Sequence, residues 1–297
     1  MKLLLTSLLA MFVGLLSAQA DPVQTYVEAP GPLGPLKGTM LSPAAKDAPV
    51  VLIIPGSGPT DRDGNNPLGI KASTYRLIAE GLAEKGIATV RIDKRGMFAS
   101  AAAVEDGNDV TMADYAADAH SWIDAIKRNV GAHCVWVLGH SEGGVVALVA
   151  AQNPAGVCGL LLVSTPGRPL GQVLREQLRA NPANAPILEA ADATISSLEA
   201  GQRVEESKIH PALQRLFAPA VQRFLISCLK LDTAKLLASY AGPALIVQGD
   251  KDLQVGVVDA NRLKQADPNA TLAVIPGANH VLKLVKSDSR GENFAAY

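Results

Sequence analysis

From Pro49 onward, short apolar runs alternate with segments whose apolar residues recur at helical spacing, the pattern of a parallel sheet with crossover helices. Val50 to Pro55 reads as a buried strand. Ser73 to Lys85 puts Tyr75, Ile78 and Leu82 on one helical face, and Gly86 ends that helix before a strand at Ile87 to Ile92. Thr111 to Asn129 predicts the clearest helix, with Tyr115, Ala119, Trp122, Ile123 and Ile126 in register. A strand at Cys134 to Leu138, a helix at Glu142 to Gln152 and a strand at Val157 to Val163 continue the alternation. It breaks at Thr165-Pro166-Gly167 and resumes with a strand at Ala244 to Gln248, a helix at Val257 to Gln265 and a strand at Thr271 to Ile275. The intervening residues 167–242 read as amphipathic helices, placed where a lid over the carboxyl edge of a sheet belongs. The expected class is α/β.

The first twenty residues stand apart. Lys2 precedes an apolar run from Leu3 to Ser17, and Ala18-Gln19-Ala20 has the small-x-small pattern that a signal peptidase reads. The expectation is an exported protein, periplasmic or secreted, in which residues 1–20 are a signal peptide and residues 21–297 form one domain with no stable membrane insertion after cleavage. A composition that is 48 % hydrophobic and 19 % charged is globular and excludes disorder as the main state. With 27 Lys and Arg against 28 Asp and Glu, the net charge of −1 implies no basic face, so nucleic acid is not an expected partner. Three cysteines are too few for a disulfide scaffold. Cys134 and Cys158 open consecutive strands, so they either pair in an oxidising compartment or stay as buried apolar residues, with Cys228 left over.

The sharpest chemical signal is Gly139-His140-Ser141-Glu142-Gly143, set between a strand and a helix. A serine at that tight turn is forced into a strained backbone conformation that lifts its hydroxyl above the sheet, and glycines on either side let the neighbouring chain pass. A serine hydroxyl needs a base, and the base needs a carboxylate to orient it. Of the five histidines, His120 falls in a helix, His133 precedes a strand, His210 lies in the insertion, and His140 points to the other side of the strand from Ser141. His280 follows the last strand in a loop at the carboxyl edge and is the candidate base. Gly249-Asp250-Lys251-Asp252 offers two carboxylates after the preceding strand; Asp252, farther into the loop, is favoured over Asp250, which could cap the turn. Backbone N–H groups of Ser57, in Gly56-Ser57-Gly58, and of Glu142 are the expected oxyanion donors. Asp61-Arg62-Asp63-Gly64-Asn65 resembles the start of a calcium loop but has Ala72 where its last acidic ligand belongs, and no histidine pair has metal-ligand spacing. No metal or cofactor is expected.

These motifs, with Asp93-Lys94-Arg95-Gly96 and Ala278-Asn279-His280, resemble the α/β-hydrolase superfamily, and within it exported bacterial serine hydrolases of the serine aminopeptidase-like and carboxylesterase branch. The resemblance runs from about Pro49 to His280. It implies a mostly parallel eight-stranded sheet with helices on both faces, the leading antiparallel strands coming from Thr25 to Met40. It also implies a serine hydrolase acting on a small-molecule acyl ester through an acyl-enzyme, with a peptidase, a thioesterase or a catalytically silent binding module as alternatives. Two departures stand out. Phe98 occupies a position where the family commonly has glycine, which is expected to reshape that loop near the cleft. The resemblance also implies a helix packed on the sheet after His280, yet residues 281–297 show no apolar helical period after Val285, so the chain reads as lacking it and a sheet face is expected to lie uncovered.

Overall fold

The computed structural model describes residues 21–45 and 47–297; the expected signal peptide lies outside the described residues. Eight strands form one sheet in the order β1-β2-β4-β3-β5-β6-β7-β8. Strands β1 (Val23–Ala29) and β2 (Leu36–Ser42) are antiparallel, and β2 pairs antiparallel with β4 (Ala88–Ile92). All other pairings, through β3 (Val50–Ile54), β5 (Val135–His140), β6 (Val157–Val163), β7 (Ala244–Gly249) and β8 (Thr271–Ile275), are parallel. Strands buried on both faces read as continuous apolar runs, which is why Val50–Ile54 is apolar throughout.

The alternation of side chains along β3 sorts the helices. Val50, Leu52 and Ile54 face a core shared with α2 (Met112–Val130), α3 (Glu142–Ala150) and α9 (Val257–Ala266), and Trp122, Ile123 and Leu148 are wholly buried there. Val51 and Ile53 face the opposite side with Tyr75 of α1 (Thr74–Glu84). Between β6 and β7 the chain forms α4 (Leu170–Arg179), α5 (Leu188–Glu199), α6 (Gln214–Phe217), α7 (Gln222–Leu229) and α8 (Thr233–Ala238), with short 3₁₀ turns between them. This helical insertion has its own small core around Ile195, Leu198, Leu213 and Phe217.

Cys134 and Cys158 are disulfide-bonded across the start of β5 and β6, with Cα atoms 5.1 Å apart, and Cys228 is free and buried. On the α1 side, Trp136, Leu161, Leu245 and Val247 remain only partly buried, with Ile78 and Leu82 of α1 in the same cluster as Trp136, Leu161 and Val247. The last helix, α10 (Arg290–Ala295), lies elsewhere. Its Asn293 Nδ2 donates to the Lys251 carbonyl at 2.7 Å and its Asn293 carbonyl accepts from Asn279 at 3.3 Å, so it joins the loops after β7 and β8.

Candidate active site

The turn between β5 and α3 puts Ser141 at φ 54°, ψ −119°, a left-handed conformation rare for a residue with a Cβ. It is held by Ser141 N–H donating to the Val163 carbonyl at 2.8 Å and by Gly144 N–H donating to the Ser141 carbonyl at 3.0 Å. The flanking glycines are steric requirements. A Cβ on Gly139 would strike the Gly143 and Gly144 backbone, and one on Gly143 would strike the carbonyl oxygens of Ile54 and Pro55.

Of the two candidate acids, Asp252 reaches the histidine: its Oδ2 lies 2.8 Å from His280 Nδ1. Oδ1 of Asp252 accepts the N–H groups of Gln254 and Val255, and Gln248 Nε2 donates to Oδ2 at 3.1 Å. Burial alone would raise the Asp252 pKa, but the His280 imidazole and these loop amides outweigh it and hold the carboxyl below its ordinary range. Asp250 instead caps the neighbouring turn, accepting from Gly277 N–H at 2.7 Å. With Nδ1 on Asp252, His280 keeps Nε2 for other chemistry. Ser141 forms no hydrogen bond to it among the described residues; such contacts commonly tighten only with substrate present.

Ser57, Ser141 and Glu142 line one cavity of about 240 Å3 whose other walls are largely apolar and drawn from the insertion, including Leu174, Phe224 and Leu225. Arg168, at the insertion's start, is fixed at its edge by Asp259, with Nη2 to Oδ2 at 2.8 Å and Nε to Oδ1 at 3.0 Å. Phe98 is not there. It has φ 45° and lines a separate groove beside β1 and β2 with Arg62 and Arg76, because the 3₁₀ turn it begins packs on β2. The expectation that Phe98 reshapes its loop near the cleft is corrected in its place: the loop lies beside the other groove and not on the cavity of Ser141. The Asp61 carboxylate is occupied by its own loop, accepting from the N–H groups of Asp63 and Asn65.

Behind the serine runs a buried relay that sequence reading missed. Gly56 N–H donates to Tyr75 Oη at 2.9 Å, so the Tyr75 hydroxyl donates to His140 Nδ1 at 2.9 Å, and His140 Nε2 donates to the His280 carbonyl at 2.8 Å. Burial, followed by the neighbouring His280 charge, lowers the His140 pKa to about 4, which keeps the ring neutral with one proton on Nε2. Burial likewise raises the Tyr75 pKa. Strand alternation places His140 behind Ser141, but nothing in a single sequence says that Tyr75 meets it.

A family model described as serine aminopeptidase, S33, matches residues 68–284, a stretch that includes Ser141, Asp252 and His280 and begins after Ser57. The chain belongs to this family. The match places the chain in the α/β-hydrolase superfamily, in keeping with its mostly parallel eight-stranded sheet. It is 27 % identical over 243 residues to Esterase EstD of Thermotoga maritima, an alignment covering 79 % of this chain and 54 % of the relative, so the chain spans about half the length of that curated protein. Among solved structures it resembles the α/β hydrolase GrgF from Penicillium sp. sh18, with a TM-score of 0.57 and 23 % identity over 87 % of this chain and 91 % of the other. It also resembles the ferulic acid-bound Est1E of Butyrivibrio proteoclasticus, with a TM-score of 0.58 and 19 % identity over 91 % and 94 % of the two chains. These two likenesses speak to the fold alone.

Proposed function

We propose that the chain is an exported serine hydrolase that cleaves short to medium carboxylic esters through an acyl-enzyme. The observation that carries this reading is the strained Ser141 on a cavity it shares with Ser57 and Glu142, together with the buried Asp252–His280 pair, whose loop reaches that cavity through Gln254 and Val255. In the forward step Ser141 Oγ attacks the ester carbonyl, His280 Nε2 takes its proton and returns it to the departing alcohol, and the Ser57 and Glu142 N–H groups hold the oxyanion. In the second step His280 draws a proton from water, whose oxygen attacks the acyl carbonyl, and passes that proton to Ser141 Oγ as the acyl–oxygen bond breaks and the acid leaves. Asp252 keeps the imidazole in the tautomer that both steps need.

An aminopeptidase would require a carboxylate in the insertion to hold the substrate amine. Among the described residues the insertion's acids turn elsewhere: Glu176 pairs with Arg168, Glu199 with Arg175 and Glu205 with Lys208, and none lines the cavity. That favours an ester. The similarity to Esterase EstD points the same way. Export is supported by the leader pattern of residues 1–20 and by the Cys134–Cys158 bridge, which suits an oxidising compartment.

The test is fluorophosphonate labelling of the protein and of Ser141→Ala, together with hydrolysis of p-nitrophenyl esters from acetyl to palmitoyl. Labelling and turnover that vanish in the variant, with rates falling beyond the medium chains, are expected. A folded wild-type protein that neither labels nor turns over would instead make it a binding module. Faster turnover of thioesters or aminoacyl anilides would move the substrate class.

A further inference from the structure

Lys94 is a lysine almost fully withdrawn from water: the residue is 3 % exposed. Lysines are seldom so placed unless every proton of the ammonium is directed. Here its Nζ donates to the Gly56 carbonyl at 2.7 Å and to Glu142 Oε1 at 3.0 Å, and it lies 5.2 Å from the centre of the Tyr115 ring. A buried ion pair contributes little net stability compared with an apolar pair of the same volume. The position of this one suggests a different use.

The Gly56 carbonyl and the Ser57 N–H belong to one peptide unit, and across a trans peptide they point in opposite directions. A cation fixed on the carbonyl therefore determines where the N–H aims, and it polarises the unit so that the N–H becomes a stronger donor. The other arm of the ammonium holds the side chain of Glu142, whose N–H is the second expected donor. Tyr75 meanwhile anchors the preceding peptide by accepting from Gly56 N–H. We propose that Lys94 is the positioning residue of the oxyanion site, its one ammonium holding the Ser57 peptide through the Gly56 carbonyl and the Glu142 residue through its carboxylate. This rests on the serine-hydrolase reading above. Lys94 touches no reacting atom. Its effect is exerted on the donors, and it balances the Glu142 carboxylate, which would otherwise stand unneutralised beside a developing oxyanion.

Three variants and two inhibitors test the assignment, with wild-type turnover and its loss in Ser141→Ala as the separate check on the hydrolase reading. Steady-state hydrolysis of p-nitrophenyl butyrate is measured for Lys94→Met, Glu142→Gln and Lys94→Met/Glu142→Gln. Inhibition is measured with a propyl trifluoromethyl ketone, which forms an oxyanion adduct with the serine, and with the matching methyl ketone, which does not. The expected result for Lys94→Met is a kcat lower by roughly 10- to 100-fold, less than the roughly 100- to 1,000-fold of losing an oxyanion donor outright because the N–H is misaimed and not removed, with KM changed less than about twofold. The trifluoromethyl ketone weakens by a similar factor and the methyl ketone does not. The double variant, which leaves no unpaired charge to unfold it, stays slow because the Gly56 carbonyl is still unheld. Glu142→Gln, which weakens one arm while Lys94 stays on the Gly56 carbonyl, is expected to lower kcat by a smaller factor than Lys94→Met.

Other outcomes overturn the proposal. Equal weakening of both ketones would make Lys94 a general structural support. Recovery of wild-type kcat in the double variant would reduce its role to neutralising Glu142, and a Glu142→Gln loss as large as that of Lys94→Met would place the effect on the ion pair alone. An active wild-type enzyme with an unaffected Lys94→Met sinks this inference and leaves the hydrolase reading standing. An inactive wild-type protein sinks the hydrolase reading first.

Discussion

A buried imidazole that accepts at one nitrogen and donates from the other has no room for a second proton, and His140 between Tyr75 and the His280 carbonyl is such a group. Its pKa falls from 6.5 to about 4, so between those values the unfolded chain binds a proton that the folded one refuses. Stability therefore rises with pH through that window and is lost on acidification, by about 3 kcal/mol for the full shift. Urea unfolding at pH 7 and pH 5 is expected to show about 2 kcal/mol of this loss, the rest lying below pH 5, and His140→Gln, although less stable at pH 7, to show a slope smaller by about one proton. A second residue-scale expectation concerns the elbow. Gly143→Ala sets a Cβ against two backbone carbonyls, which cannot move aside as a side chain would, so fluorophosphonate labelling should fall sharply even where circular dichroism shows a folded protein. Residue types were enough to mark the strained turn at Ser141, since that turn is local. Choosing Asp252 over Asp250 depended on loop reach, and the hydrogen bonds now separate them: one meets His280 and the other closes a turn.

Elements were legible where they were long and periodic. The α2 stripe of Tyr115, Ala119, Trp122, Ile123 and Ile126 is the face that the sequence marked, and Thr111 begins the helix with a capping box in which Thr111 and Asp114 satisfy each other's backbone N–H. Thr111→Ala is expected to cost about 1 kcal/mol in denaturant unfolding. The same helix receives Arg95 through two 2.6 Å bonds to Asp118, which ties the Asp93-Lys94-Arg95-Gly96 loop to the core side of the sheet. Asp118→Ala would strand a buried guanidinium and is expected to cost about 3 kcal/mol or more, with a lowered melting temperature as the readout. Short elements were harder to read. The six-residue α10 is too brief for any hydrophobic period and is held by a Ser289 cap and by polar side chains that reach across to other loops. Phe98 was misplaced for a related reason: a left-handed residue in a turn can direct its side chain to either side of the sheet, and only the packing of that turn on β2 decides which.

At the scale of the whole molecule, the Cys134–Cys158 bridge spans a sequence separation of 24 residues and fastens the start of β5 to the start of β6, at the end of β5 opposite Ser141. By loop length its removal should cost about 3 kcal/mol, so Cys134→Ala/Cys158→Ala is expected to unfold at markedly lower urea while keeping its labelling in buffer. The apolar row Trp136, Leu161, Leu245 and Val247 is left only partly buried on the α1 side of the sheet. By itself the sequence determined the α/β class, the order of strands and helices along the chain, the helical insertion and the residue types gathered at the carboxyl edge. Periodicity and turn chemistry act over neighbouring residues, and a linear reading contains them. The tertiary structure alone decided which distant groups meet: His280 with Asp252, Tyr75 with His140, Lys94 with Gly56 and Glu142, and the insertion's side chains with the cavity beside Ser141. Those meetings depend on strand order, which places β3 between β4 and β5, and no local pattern encodes which strands lie side by side.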